Sequence, residues 1–571
     1  MANGFGSMYI GQSGLQSAQN ALNTTANNLA NVDTKGYVRQ QVRFSDKRYD
    51  TLQDPRTRVN MHQSGLGVSI GDVVHARDIF LDKAYRLERG REAFYATCYE
   101  TTSYVEDLFQ ELDGEEFKRS VEDLWTAFQE LAKAPADTVN QNLVLQKSEL
   151  LVSRCETFYA DLQSYQMNLN QQIIDEVKAV NEIGDRIHEL NLEIQKVESN
   201  KQETAMTLRD ERDRLLDELG TYTKFDARED ATGFVHIEIE GVSFVEDAAC
   251  HHMECKMETG TGLATPYWPQ LSDVDKNQYT SVWRLDGEVS TVSNTDIGSI
   301  KCKLILRGDR YGMFTDLKTP EAYQKIEDCL MMETQAEVDM LFHDIVTKMN
   351  DIFCPNTDIT LQADALDADG NVLFASGTSL KVLDADNCAV GADGELPPRE
   401  LFERMGMERY TECTVDGKTY YIYNEEDLSN SASIYRIGNV KVNPDLMKQV
   451  TLLPAFQQDG AVDYKLAQDL AAAWEEQGMH INPTDEYPCT FQGFYDKIIG
   501  KLGTDGDVYY SSAETLTNTT TSIDNKRAQV MGVSSDEELT KMIKYQSAYN
   551  AASRYITVIS QMTELIVTGL I

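Results

Sequence analysis

A chain of 571 residues with 41% hydrophobic side chains has the length and apolar content for several packed domains, which excludes a largely disordered polymer. Its 93 acidic residues against 52 basic ones leave a net charge of -41, so its average surface repels nucleic-acid backbones and anionic lipid. No run approaches the roughly 18 apolar residues of a membrane-crossing helix, and the N-terminus lacks the basic, apolar and small-residue succession of a cleavable signal. The ten cysteines are scattered, and in a chain with this much core they are expected as buried free thiols rather than a disulfide framework.

From Met1 to Val32 there is no charged side chain, and Met8, Leu15, Leu22 and Leu29 fall seven apart, with Ala18, Thr25 and Val32 between them. That spacing predicts a polar, uncharged helix with one narrow apolar seam. Helical periodicity returns from Ile79 to Leu112, from Phe117 to Ala132, and from Val139 to Tyr222, with a turn at Ser199-Asn200. In the longest of these, Ile173, Val180, Ile187 and Ile194 form a heptad series that predicts a coiled coil or bundle.

After Gly220 the period becomes two. Val235, Ile237 and Ile239 alternate with polar residues, and Ile300, Cys302, Leu304 and Leu306 do so later, so about 222–308 reads as a β-rich domain. A helix is expected from Glu321 to Phe353, then a second β-rich stretch over 354–438 with a hairpin turning at Asp416-Gly417. Helices follow at Leu466–Trp474 and Phe491–Leu502, and a Ser/Thr/Asn run at 511–522 reads as a connector. Ser534 or Ser535 before three acidic residues predicts the cap of a long last helix. Its seam is Met542, Tyr545, Tyr549, Ala552, Ile556, Ile559, Thr563, Ile566 and Leu570.

The expected fold class is α+β multidomain: a long helical coiled-coil or bundle core formed by the N- and C-terminal segments, with two β-rich inserted domains. The expected division is 1–60 with 530–571, 61–221 with 309–353 and 439–529, 222–308, and 354–438. The two end segments are expected to pair. Four Leu or Met side chains return less than the ordering of such a helix costs, so both ends are expected to be mobile in a monomer and to order when copies assemble.

Chemical motifs are weak. Cys250-His251-His252 with Cys255 carries zinc-ligand types at irregular spacing, and the segment through Asp367, Asp369 and Gly370 lacks the first and last ligands of a calcium loop. His188-Glu189 is followed by Leu192 where a zinc protease needs a second histidine. With no phosphate loop and no nucleophile elbow, no enzyme, cofactor or metal site is expected.

The stretch Gly14-Leu15-Gln16-Ser17-Ala18-Gln19-Asn20-Ala21-Leu22, followed by Asn27-Asn28-Leu29-Ala30-Asn31-Val32-Asp33-Thr34-Lys35-Gly36-Tyr37-Val38-Arg39-Gln40, resembles the N-terminal signature of flagellar rod, hook and hook-associated proteins. Lys35 stands where that family usually has proline. Gly65-Leu66-Gly67-Val68, Arg77-Asp78, and the charged run from Leu208 to Leu219 are similar to the hook-associated branch, and Lys544 to Arg554 is similar to the family's closing helix. The resemblance implies a secreted structural subunit of the bacterial flagellum, exported by the type III route, that forms a homo-oligomeric ring joining hook to filament. Implied partners are the hook protein, a second junction protein or the filament, and an export chaperone, with no nucleic acid and no membrane insertion. Assembly contacts are then expected at Met8, Leu15, Leu22, Leu29, Asn28, Asn31, Val32, Gly36 and Tyr37, and along the last helix's seam. The alternatives are a hook or rod subunit, or an adhesin or enzyme carried by 354–438.

Overall fold

The computed structural model describes residues 2–34, 36–47, 50–53, 61–110, 116–199, 204–367 and 372–569. Helix α1 (Ala2–Ala30) leads into strands β1 (Gln40–Asp46), β2 (Asp50–Gln53), β3 (Met61–Ser64) and β4 (Val68–His75). β1 pairs antiparallel with β4, and β2 with β3. Four helices follow: α2 (Ile79–Gln110), α3 (Glu116–Lys133), α4 (Thr138–Glu198) and α5 (Met206–Tyr222). The 61-residue α4 is capped by the Asp137 carboxylate, which accepts from the Val139 amide at 2.9 Å.

Beyond α5 lie a three-stranded antiparallel sheet, β5 (Phe225–Glu229), β6 (Val235–Ile239) and β7 (Val242–Val245), and a hairpin of β8 (Glu254–Met257) and β9 (Ala264–Tyr267). Both hang on α4 by asparagines. Asn191 donates to the Val235 carbonyl at 2.9 Å and accepts its amide at 3.2 Å, while Asn181 and Asn170 grip the backbone at Met253 and Ala264. An amide side chain offers the donor and acceptor of one more strand residue, so each asparagine satisfies backbone groups that the neighbouring strands leave open.

The alternating stretch from Ile300 to Leu306 is not a strand. It forms α6 (Ser299–Arg307), in which Ile300, Cys302, Leu304 and Leu306 are buried, and so are Lys301 and Lys303. A helix covered on every side has no polar stripe, and its lysines obscured the period; Lys303 finds Glu176 at 2.5 Å. The helix expected from Glu321 is likewise divided, into α7 (Pro320–Tyr323) and α8 (Leu330–Phe353).

The next stretch holds β10 (Asn356–Thr360), β11 (Ala365–Leu366), β12 (Val372–Phe374), β13 (Ser379–Leu383), β14 (Phe402–Arg404), β15 (Tyr410–Val415), β16 (Lys418–Tyr423) and β17 (Val440–Val442). Six of these make one antiparallel sheet, ordered β10-β13-β16-β15-β11-β12, and its hairpin turns with positive φ at Asp416 and Gly417. Cys388, Leu401, Phe402 and Tyr410 from the same stretch join the main core with α3, α4 and α8.

The chain closes with α9 (Pro444–Lys448), α10 (Tyr464–Ala472), α11 (Phe491–Met531) and α12 (Ser535–Thr568), the last capped by Ser534. The Ser/Thr/Asn run read as a connector lies inside α11, which packs along α2. Its hydroxyls turn back on their own helix: Ser512 donates to the Val508 carbonyl at 2.8 Å, and Thr517 and Thr519 to Ala513 and Thr515 at 2.9 Å. Satisfied in that way, they no longer compete with helix formation.

Candidate functional site, the joint of the two chain ends

Helices α1 and α12 pack antiparallel. A Cβ on Gly11 would lie 2.7 Å from Ile556, one on Gly14 would lie 3.7 Å from Ala552, and Asn28 reaches Glu538. The innermost face of α1 is made of small residues, with Ala18, Ala21, Thr25 and Asn28 all buried. The expected seam residues Leu15, Leu22 and Leu29 flank that face half-buried, and Met8 and Val32 are exposed. The small positions are therefore better buried than the leucines beside them, because they let the two backbones approach. On α12, Met542, Tyr545, Tyr549, Ala552, Ile556 and Ile559 are half-buried, and Thr563 and Ile566 are exposed. Leu570 lies outside the described residues. Tyr545 also meets Phe44 of β1 edge-on at 6.1 Å.

Asn28 fastens this pair to the rest of the chain. Its amide nitrogen donates to the Gln40 carbonyl at 2.9 Å and to Glu538 at 3.0 Å; its oxygen accepts from the Tyr37 hydroxyl at 2.9 Å and the Gln40 amide at 3.0 Å. All four bonding positions of the buried amide are used. Asn31 donates to the Asn27 carbonyl at 2.9 Å and accepts from Thr34 at 3.2 Å, which closes the end of α1. Gly36 has a φ of 85°, a conformation side chains rarely adopt, and so turns Tyr37 back to Asn28. The Tyr37 hydroxyl is pushed up to about 12, first by burial and then by Asp210 and Glu538. The Arg39 amide donates to the Met531 carbonyl at 2.8 Å, and its guanidinium meets Glu537 at 2.9 Å.

Beneath this clasp the charged run of α5 forms a lattice that the sequence reading did not assign. Asp210, Asp213 and Asp217 step by three and four residues and share one face. Asp210 accepts from the Val38 amide at 3.3 Å; Asp213 holds Arg77 and Arg86; Asp217 holds Arg86 at 2.7 Å and Arg527 of α11 at 2.6 Å. Arg527 also binds Asp82 of α2 at 2.9 Å, and its guanidinium stacks over Tyr85 at 4.1 Å. The three- and four-residue steps were legible, but the partners lie on other helices. On the opposite face of α5, Arg212 is buried against Asn191 and the Gly233 carbonyl.

His75 stands 3.3 Å from Asp210. Burial, then Arg77 and Arg209, pull the imidazole down to about 4, while burial pushes the Asp210 carboxyl up to about 7. The folded chain holds the Asp210 proton more tightly than the unfolded one, so that contribution to stability is complete below about pH 4 and is lost as the pH rises through about 7. His75 contributes in the opposite sense, fully above about 6.5 and less as the pH falls through about 4. The two slopes oppose each other. Asp210→Asn is therefore expected to leave a protein whose urea midpoint falls more steeply between pH 6.5 and 4 than that of the parent chain.

Among the described residues two groups could offer ligands to a metal: Asp185, Cys250 and His252, and Asp230, His236 and Asp247, each with its ligand atoms within 4.8 Å. The first is already occupied internally. His252 pairs with Asp185 at 2.8 Å, and burial followed by Asp185 pushes the Cys250 thiol up to about 12, away from the thiolate a metal needs. His251 faces Glu246 instead, and Cys255 belongs to β8. No helix among the described residues is long and apolar enough to cross a membrane.

Paired end helices, a clasp made by the motif that follows the first of them, and an ion-pair lattice beneath together define a structural joint between the two ends of the chain. Family models agree segment by segment. Residues 102–360 match the flagellar hook-associated protein FlgK helical domain, 8–37 the flagella basal body rod protein, and 528–568 the flagellar basal body rod FlgEFG protein C-terminal. Flagellar hook-associated protein 1 of Bacillus subtilis (strain 168) is 25% identical over 97% of this chain and 96% of its own length. That of Escherichia coli (strain K12) is 26% identical over 36% of this chain and 37% of its own. The flagellar hook junction protein FlgK from Burkholderia pseudomallei aligns over 80% of this chain and all of that one, at 12% identity and a TM-score of 0.47. The chain is thus similar to flagellar hook-associated protein 1 along almost its whole length.

Proposed function

We propose that this chain is a subunit of the ring that joins hook to filament, and that it assembles through the paired terminal helices of neighbouring copies. The role is structural rather than catalytic, the site of action is outside the cell, and the partners are copies of itself, the hook protein, the next junction protein or filament, and a chaperone during export. The terminal coil, 1–60 with 530–571, acts as the polymer core, and the remaining domains project from it.

One observation carries the reading: α12 bears a second apolar row that α1 does not cover. Val558, Met562 and Leu565 step by four and three residues, and Val558 and Leu565 are 51% and 74% exposed. A lone pair of helices offers nothing to bury this row, whereas an identical pair beside it does. Val558→Lys combined with Leu565→Glu is expected to leave the isolated chain's stability within about 0.5 kcal/mol of the parent, as surface changes do. The same chain is expected to fail to build the junction, leaving cells without filaments. Normal filaments on cells carrying only this double variant would overturn the reading.

A further inference from the structure

Two of the ten cysteines, far apart in sequence, meet inside the fold. The Sγ atoms of Cys98 on α2 and Cys302 on α6 are 3.0 Å apart, and both side chains are buried with Phe94 and Leu306. Their meeting is set by backbone, not by chance rotamers. The Gly298 amide donates to the Gly90 carbonyl at 2.9 Å, and a Cβ on Gly90 would lie 2.6 Å from Ile297 and 2.7 Å from the Gly220 carbonyl. Arg91 and Tyr95 of α2 both reach Asp296 at 3.4 Å. Cys98 lies two turns beyond Gly90, and Cys302 one turn beyond Gly298, so the same close approach brings the two sulfurs together. A disulfide needs the sulfurs at about 2.05 Å, roughly 1 Å nearer than they stand here.

We infer that Cys98 and Cys302 are a modification site: they close an intrachain disulfide when the chain folds in the presence of a small-molecule disulfide. One protein thiolate attacks the small disulfide, forming a mixed disulfide and releasing one small thiol. The second protein sulfur attacks the first, releasing the other small thiol and forming the protein S–S bond. Two protein thiols are oxidised, one small disulfide is reduced to two thiols, and the protons lost from the protein appear on the products. Because both sulfurs end up buried, the bond forms as α6 docks on α2 and is then protected from reductant. Such chemistry belongs to the cell exterior, so its use in the cell rests on the location proposed above. The bond would tie the helix that carries α11 to the segment that follows the β-rich domain.

The full chain, unfolded in reductant and refolded in mixed oxidised and reduced glutathione, is quenched with iodoacetamide under denaturing conditions, digested and weighed. The expected result is two fewer alkylated cysteines than the ten in the sequence, with a cross-linked peptide pair containing Cys98 and Cys302. All ten alkylated, or a bond between other cysteines, overturns the inference. Cys302→Ala should leave Cys98 alkylated; if that variant does not fold, the parent's peptide map decides alone. No flagellar component takes part, so failure of the ring assignment would leave this result unchanged.

Discussion

Asn28→Ala is expected to release the terminal coil from the body of the protein while leaving the helical bundle folded. The change removes four hydrogen bonds at once and strands the Gln40 amide and carbonyl, the Tyr37 hydroxyl, and the buried Glu538 carboxylate, which keeps Lys541 at 2.6 Å. Leaving buried polar groups unpaired costs about 1–3 kcal/mol each, and partial access of water reduces the sum, so a loss of about 3 kcal/mol in docking is expected. In native-state hydrogen exchange that corresponds to about 100-fold less protection for amides in β1 and the first turns of α12, with those of α4 unaltered. Asn28→Asp should behave at least as badly, because it sets a second carboxylate against Glu538. Unchanged protection in the alanine variant would mean that the motif is not a clasp.

Arg527→Met has the second large effect, and it falls on the body of the protein. Arg527 holds Asp82 and Asp217 with one guanidinium while only 4% exposed, and Asp82 is equally covered. Without it Asp82 keeps only Arg77 at 2.6 Å and Asp217 only Arg86 at 2.7 Å, so each carboxylate loses one of two partners, at a cost of about 1–3 kcal/mol. The transition that separates α2, α5 and α11 should move to lower urea by a corresponding amount. Arg527→Lys should recover only part of the loss, since a point charge cannot span two carboxylates as a planar fork does. A shift worth less than about 1 kcal/mol in the methionine variant would show the lattice to be dispensable.

Much of this was legible in the sequence, because long amphipathic helices write their period plainly. The start of α2, the break after α4, a cap at one of Ser534 and Ser535, and the Asp416-Gly417 turn all follow from spacing and local chemistry, while the expected end of α2 at Leu112 lies outside the described residues. What failed did so for physical reasons. Segment 299–307 is buried on all sides, so its lysines mimicked alternation, and the hydroxyl-rich part of α11 satisfies itself by intrahelical bonds that composition cannot reveal. At the joint, leucines at heptad spacing drew attention from the smaller residues beside them, although close approach between helices favours the smaller ones. Asn28 was marked by its motif, but its partners Gln40, Tyr37 and Glu538, like the union of Asp82 with Arg527, exist only once distant segments meet.

The antiparallel course of α1 and α12 brings the start of the first helix and the end of the last to a common tip, far from the Asn28–Glu538 contact. Tension applied along the axis is then shared by every rung of the pair, whereas prising the tip sideways meets the rungs singly. A subunit gripped lengthwise by its neighbours is thus loaded in shear, the direction in which a slender two-helix strut yields last.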